Sequence, residues 1–232
     1  RDLHLSIRRQ RQMCIRDSLR RKDTVFVFKY NLRRVQRKLS KSWRGCGKPC
    51  HLMVPGADLH GVATLRTAAD SEWLRIAAAK ADHVVLVGAG FIGMELASSL
   101  NKLKVETTVV DVETEVWANV FPSEVSAFLQ SYFEERGVHF LLGAKVTEFD
   151  GVGTLSRVIL ETDDEIAADL AVVGIGIKPT EELAAQAGLA IQNGIVVDVY
   201  GETTVDHVYA AGDVARFPDP IRGDLVLSLI HI

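Results

Sequence analysis

The hexapeptide GAGFIG at residues 88–93 constrains the fold of this chain more than any other feature. The apolar run HVVLV at residues 83–87 precedes it, and residues 94–104 after it have helical periodicity. A second apolar run covers residues 107–110 and is followed by Asp111. A strand, a glycine-rich turn, a helix and a second strand that ends in an acid are typical of a dinucleotide-binding unit.

Each residue type in this turn has a predicted role. Gly88 permits the tight turn, Gly90 lets the backbone approach a pyrophosphate, and Gly93 allows close packing of helix on strand. Phe91 and Ile92 lie in the turn just before the predicted helix, whose N-terminus favours phosphate groups through the positive end of its dipole. The alternative is a buried strand with a glycine-rich turn and no ligand.

Asp111 is the predicted ribose-binding acid. Its carboxylate can accept a hydrogen bond from the ribose 2′-hydroxyl and would repel a 2′-phosphate. Residues 112–115 include no Arg that could bind such a phosphate. NAD is therefore the predicted cofactor, and we expect NADH to be preferred over NADPH.

Both ends of the chain are predicted to be translated adapter DNA. Reverse translation of LSLIHI at residues 227–232, read on the opposite strand in a shifted frame, gives MCIRDS, the sequence of residues 13–18. Antisense copies of one DNA element at opposite ends of a chain are typical of a sequencing adapter. We therefore expect residues 1–18 and 227–232 to have no packed role in the fold.

The charge of the chain is uneven. The first fifty residues carry sixteen of the 27 Lys and Arg residues and three of the 30 Asp and Glu residues. Part of this excess belongs to the predicted adapter segment. We interpret the basic segment at residues 19–44 as out-of-frame translation, with a basic arm as the alternative. The remainder is acidic, and it has no apolar run long enough for a membrane span.

The cysteines predict neither a metal site nor a disulfide framework. Cys14 lies in the adapter segment, and Cys46 and Cys50 have a spacing that differs from zinc and thioredoxin-like motifs. We interpret the latter two as incidental thiols and assign no metal ligands. Sparse cysteine usage predicts a cytoplasmic location, with the mitochondrion as the alternative.

Periodicity and turn signals predict the remaining elements, with Ser123 as the N-cap of the third helix. The predicted helices cover residues 67–80, 94–104, 124–136 and 181–187, and the predicted strands cover residues 138–142, 146–149, 156–161, 165–175, 195–199 and 208–211.

Four motifs, in this order, resemble the pyridine nucleotide–disulfide oxidoreductase superfamily, especially its ferredoxin-reductase and apoptosis-inducing-factor-like flavoproteins. They are VPGAD at 54–58, GAGFIGME at 88–95 with Asp111, GIGIKP at 174–179 and TTVDHVYAAGD at 203–213. The resemblance implies an α/β fold: a Rossmann-like NAD domain with a β-meander, and the C-terminal part of an incomplete FAD-binding Rossmann domain.

The resemblance also implies domain boundaries. Residues 45–80 would be a crossover segment from the FAD domain, residues 81–166 the NAD domain with its meander, and residues 167–226 the C-terminal part of the FAD domain.

Further site residues follow from the same resemblance. Glu95 would lie near the nicotinamide, although an acid near a helix start is also favoured by the helix dipole alone. Gly174 and Gly176 belong to the loop that leaves the NAD domain. Asp213 would bind the ribityl chain of FAD, and Gly212 would allow its close approach.

The chain departs from this family in one important respect. The family begins with a second G-x-G-x-x-G motif for the ADP part of FAD, and this chain has one such motif only. We therefore expect that the chain as given does not hold FAD, and that the strand at residues 208–211 has an unpaired edge.

The activity implied for the intact parent is hydride transfer from NADH to FAD, with electrons passed to a ferredoxin or another iron–sulfur protein. No catalytic side chain is assigned, because the flavin supplies the chemistry. Two alternatives are a flavin-free NAD dehydrogenase and an apoptosis-inducing-factor-like redox protein that binds nucleic acid.

Overall fold

The structure is a computed structural model that describes residues 25–27, 47–118, 120–219, 223 and 225–227. The chain divides into two compact units. We call Pro49–Ile177 the central unit, and Arg1–Lys48 together with Lys178–Ile232 the terminal unit.

A parallel five-stranded sheet forms the middle of the central unit. In spatial order its strands are β3 (Val62–Ala63), β10 (Leu170–Val173), β4 (His83–Val87), β5 (Glu106–Asp111) and β6 (Val138–Leu142). Every neighbouring pair is parallel, so each connection crosses over the sheet. Three crossovers contain a helix: α1 (Ala68–Ala78), α2 (Phe91–Lys102) and α3 (Ser123–Glu134). The fourth, from β6 to β10, contains three further strands.

Strand β4 is buried on both faces, which explains its continuous apolar sequence. Val84 and Leu86 pack in a cluster with residues of α1 and α2. Val85 and Val87 point to the opposite face and pack in a second cluster with Phe149. Side chains on both faces of β4 are therefore packed, and the glycine-rich turn follows at the end of this strand.

An antiparallel meander covers the second face of this sheet. Its strands are β7 (Val146–Asp150), β8 (Arg157–Leu160) and β9 (Glu165–Ala167). Arg157 joins all three strands, because its guanidinium lies 2.5 Å from the Asp150 carboxylate and 3.3 Å from that of Glu165.

The strand predicted at residues 165–175 is two strands in different sheets. The chain leaves β9 at Ala167, and β10 then pairs between β3 and β4. Asp169 stabilises the crossing, because its carboxylate accepts the N–H groups of Asp82 at 2.9 Å and His83 at 3.1 Å. The predicted domain boundary at residue 167 therefore does not coincide with the division between the units.

Two helix starts differ in how they are capped. At α1, Thr67 and Asp70 form a capping box, and the Thr67 N–H holds the pKa of the Asp70 carboxyl below its usual value. This stabilisation is present above the pKa of Asp70 in the unfolded chain and is lost as the pH falls through its folded value. At α3 the predicted N-cap is wrong: Pro122 occupies that position, and Ser123 is the first helical residue.

Where the structure describes it, the terminal unit contains short strands and one short helix. β1 (Val25–Val27) pairs in parallel with β13 (Tyr209–Ala211), and β14 (Ala215–Pro218) lies between β12 (Ile195–Val196) and β15 (Leu225–Leu227). The helix is α4 (Glu182–Gln186). A small cluster that includes Ile195, Ala210 and Val214 forms its core. The connecting segments β2 (Gly47–Pro49) and β11 (Ile177–Pro179) also pair.

The adapter prediction for residues 227–232 is wrong at Leu227, which pairs with Arg216 because it extends the apolar strand that begins at Leu225. Strand β13 pairs on one edge with β1, which belongs to the basic segment at residues 19–44. The unpaired edge expected for the strand at residues 208–211 stays a prediction. The predicted adapter residues 1–18 and 228–232 lie outside the described residues.

Among the helices that the structure describes, none combines the length and hydropathy that a bilayer crossing requires.

Candidate dinucleotide site

The glycine-rich turn begins directly after strand β4. Gly88 has φ +111°, and its N–H donates to the Val110 carbonyl oxygen at 2.8 Å. A Cβ atom at Gly88 would lie 2.7 Å from the carbonyl oxygen of Gly174, which follows β10. The turn therefore lies at the carboxyl edge of the sheet, where ligands bind in folds of this type.

Gly93 is required by the packing of helix α2 on this turn. A Cβ atom at Gly93 would overlap the carbonyl oxygen of Gly88. This confirms close helix–strand contact at Gly93, as the sequence predicts.

Gly90 differs from these two glycines. Its φ of −82° and ψ of −164° are accessible to any residue, and a Cβ atom placed there would have no neighbour within 4 Å among the described residues. Neither backbone strain nor packing within the protein explains glycine at this position. Open space in front of the turn is what a ligand that contacts the backbone would require.

Helix α2 presents an uncapped N-terminus to this space. Its N-cap is Gly90, which makes no side-chain capping bond, and its first turn contains no acidic residue. The first helical hydrogen bond runs from the Met94 N–H to the Gly90 carbonyl oxygen at 3.0 Å. The earlier N–H groups, including those of Phe91 and Ile92, have no acceptor within the helix and suit an anionic group.

Asp111 is bound to the turn itself. One carboxylate oxygen accepts the N–H of Ala89, and the other accepts the N–H of Glu113 at 2.9 Å. A carboxylate offers about four acceptor positions, so two remain for a ribose hydroxyl. Sequence reasoning assigned Asp111 to the ribose only and missed its bond to the turn.

The surroundings of Asp111 are acidic. Glu113 and Glu115 follow it in the loop between β5 and α3, and residues 112–121 contain no Lys or Arg. Val112, the residue after Asp111, is 64% exposed. The 2′-phosphate of NADPH would be repelled by these carboxylates, and this loop offers no cation to bind it.

Glu95 lies farther along α2. It is exposed and lines a groove of about 350 Å³ between α1 and α2, together with Ile92 and Leu74. Its predicted place near the nicotinamide stays a prediction.

The loop after β10 approaches the turn. The N–H of Gly174 donates to the Val87 carbonyl oxygen at 2.8 Å. Gly176 has φ +106°, and its carbonyl oxygen accepts the Cys50 N–H at 2.9 Å. Cys50 is a free, partly buried thiol, and Cys46 lies outside the described residues.

Gly212 and Asp213 belong to the terminal unit. Gly212 follows β13 with φ +82°, and its carbonyl oxygen accepts the Ala215 N–H at 2.9 Å. Asp213 is half-buried in this turn. Their predicted contact with FAD stays a prediction.

Comparison with known proteins agrees with this fold. Residues 45–228 match the family described as pyridine nucleotide-disulphide oxidoreductase. The chain is 40% identical over 176 residues to rhodocoxin reductase from Rhodococcus erythropolis, which covers 75% of this chain and 41% of that protein. It is 37% identical to the ferredoxin–NAD(+) reductase component of the biphenyl dioxygenase system of Paraburkholderia xenovorans, over 72% of this chain and 41% of that protein.

A solved structure shows the same fold. A ferredoxin reductase from Rhodopseudomonas palustris superposes with a TM-score of 0.75 and 34% identity, covering 80% of this chain and 46% of that one. The chain thus spans about two-fifths of the length of the curated relatives named above.

Gly93 and Gly90 should respond differently to one added methyl group. We expect Gly93→Ala to lower the free energy of unfolding by about 2–3 kcal/mol, because the new Cβ overlaps the Gly88 carbonyl. Gly90→Ala should change it by less than about 1 kcal/mol, since its backbone angles and space are permissive. Urea unfolding followed by circular dichroism measures both, and equal losses would contradict this assignment.

Proposed function

The chain belongs to the pyridine nucleotide–disulphide oxidoreductase family, and from this membership and the site geometry we propose that its central unit binds NADH across the turn at residues 88–93. The observation that carries the proposal is the open space at Gly90. Packing among the described residues does not require a glycine at this position.

The described residues fit a dinucleotide in three ways. The N–H groups at the start of α2, from Phe91 to Gly93, would bind the pyrophosphate, since Gly90 leaves room for close approach. Asp111 would accept hydrogen bonds from the ribose hydroxyls with its remaining lone pairs. Glu95 would lie on the nicotinamide side of the turn.

We also propose that the whole protein is an NADH-dependent flavin oxidoreductase that passes electrons to a ferredoxin. The support is the printed name of the Paraburkholderia relative, a ferredoxin–NAD(+) reductase component. FAD, when bound, accepts the hydride of NADH. Gly212 and Asp213 would contribute to its site, while the protein's own task is to bind and orient the two cofactors. A cytoplasmic location is part of the same proposal.

NADH binding by the full 232-residue chain tests this function. Fluorescence titration should show saturable binding, and Gly90→Val should raise the Kd at least about tenfold, equivalent to about 1.4 kcal/mol. The physical reason is that the valine side chain fills the space that the pyrophosphate needs.

Gly153→Val is a matched control, because Gly153 also has no neighbour within 4 Å and lies in the meander turn. Its φ of +71° adds strain, so circular dichroism must show that both variants are folded. Unchanged NADH affinity in a folded Gly90→Val variant would contradict the site.

Discrimination against NADPH provides a second test. We expect NADH to bind at least about tenfold more tightly than NADPH, or about 1.4 kcal/mol, because Asp111 and its acidic neighbours repel a 2′-phosphate. The double variant Asp111→Ser, Val112→Arg should reduce the ratio of the two Kd values. Val112→Arg alone is the control, and tighter binding of NADPH by the unaltered chain would refute the assignment of Asp111.

Flavin retention tests whether the 232-residue chain binds FAD by itself. After incubation with excess FAD and removal of free flavin, the chain should show no flavin absorbance, because it has one G-x-G-x-x-G motif only. A retained flavin band that NADH bleaches would show that this chain is itself a working flavoenzyme.

A further inference from the structure

We infer that Trp117 is a positioning residue that holds the glycine-rich turn in its binding geometry. The inference rests on the proposed function, because the geometry matters through the dinucleotide that the turn would bind. Trp117 lies in the loop between β5 and α3, six residues after Asp111, and no sequence motif singles it out.

The peptide groups on both sides of Ala89 are held by the end of β5 and by the loop that follows it. The Ala89 N–H donates to the Asp111 carboxylate, and the Ala89 carbonyl oxygen accepts the Trp117 N–H at 3.1 Å. Ala89 is 1% exposed and lies between Gly88 and Gly90. Two hydrogen bonds, one to the last residue of β5 and one from the loop after it, therefore set the orientation of the backbone that leads into the N–H groups proposed to bind phosphate.

The Trp117 backbone has an unfavourable conformation. Its φ of +51° is in the left-handed region, which is rare for bulky residues. In this conformation the Trp117 N–H donates to the Ala89 carbonyl oxygen, and the Trp117 carbonyl oxygen accepts the Val120 N–H at 2.8 Å. Such a residue persists only where its surroundings over-determine it, so we infer that contacts of the side chain hold it together with these backbone hydrogen bonds.

Two aromatic neighbours hold the indole. Its ring centroid lies 6.3 Å from that of Phe91 at 60°, and 5.7 Å from that of Phe121 at 76°. These are edge-to-face contacts, which stabilise aromatic pairs beyond their buried area. Phe91 is the first residue of α2, so the row of three rings connects the helix start to the loop.

The indole acts through its shape. Its Nε1 atom is buried and has no hydrogen-bond partner among the described residues. Because this atom is out of reach of solvent, a bound dinucleotide could not contact it without a rearrangement. A phenylalanine at this position would keep the ring contacts and remove an unsatisfied donor, so it should preserve function.

NADH titration of the full chain tests the inference. We expect Trp117→Leu to lower the population of the binding-competent turn to about a tenth. The Kd should then rise about tenfold, because the apparent affinity falls in proportion to that population. Trp117→Phe should have a Kd within about twofold of that of the unaltered chain. A role through the indole N–H would not allow this result, because phenylalanine lacks that group. Trp73→Leu, a change to the tryptophan that contacts His60, should leave the Kd unchanged.

A second variant keeps the test decisive if Trp117→Leu does not fold. Phe121 is 38% exposed, and Phe121→Leu removes one ring contact of Trp117 while retaining an apolar side chain. We expect it to raise the Kd about threefold with an unchanged circular dichroism spectrum.

The possible failures are distinguishable. Absence of NADH binding by the unaltered chain would overturn the proposed function and this inference with it. NADH binding with equal Kd values in the unaltered chain and in folded Trp117→Leu and Phe121→Leu variants would overturn the positioning role alone. A Trp117→Phe variant as weak as Trp117→Leu would also overturn it.

Discussion

The central unit depends on the contact between the start of helix α2 and the end of strand β4. Gly93 faces the Gly88 carbonyl so closely that no side chain fits between them. This contact brings the helix N-terminus to the carboxyl edge of the sheet, beside the turn that follows β4. Gly90 then faces open space, and the acid that ends β5 can reach the N–H of Ala89. The same contact thus determines both the fold of the turn and the direction of its unsatisfied N–H groups.

Much of the central unit could be predicted from the sequence because its signals are local. Strand β4 is a continuous apolar run, and glycine marks each close approach. The division between β9 and β10 could not be predicted, since residues 165–175 form one largely apolar run and only tertiary pairing separates them. Trp117 could not be predicted either, because its left-handed backbone and its bond to Ala89 arise from the folded loop.

The resemblance to a family predicted the membership of the chain correctly, but the sequence did not predict the strand pairing in the terminal unit. The family was identified from four short motifs, and the match over residues 45–228 confirms it. The absence of a second G-x-G-x-x-G motif led to the expectation of an unpaired edge at residues 208–211, and the adapter-like ends led to the expectation that Leu227 would be unpacked. Strands form from any suitable apolar residues, so Val25–Val27 and Leu225–Leu227 pair within this unit whatever the origin of their codons.

Amide chemical-shift mapping of the full chain with NADH tests the central claim most directly, because it locates the ligand on the backbone. The account predicts the largest shifts at the amides of residues 88–95 and 111–113, where the turn, the helix start and the ribose acid meet. Smaller shifts should follow at Trp117. Saturable shifts confined to the meander or to the terminal unit, with the amides of Gly90 and Phe91 unchanged, would contradict the account.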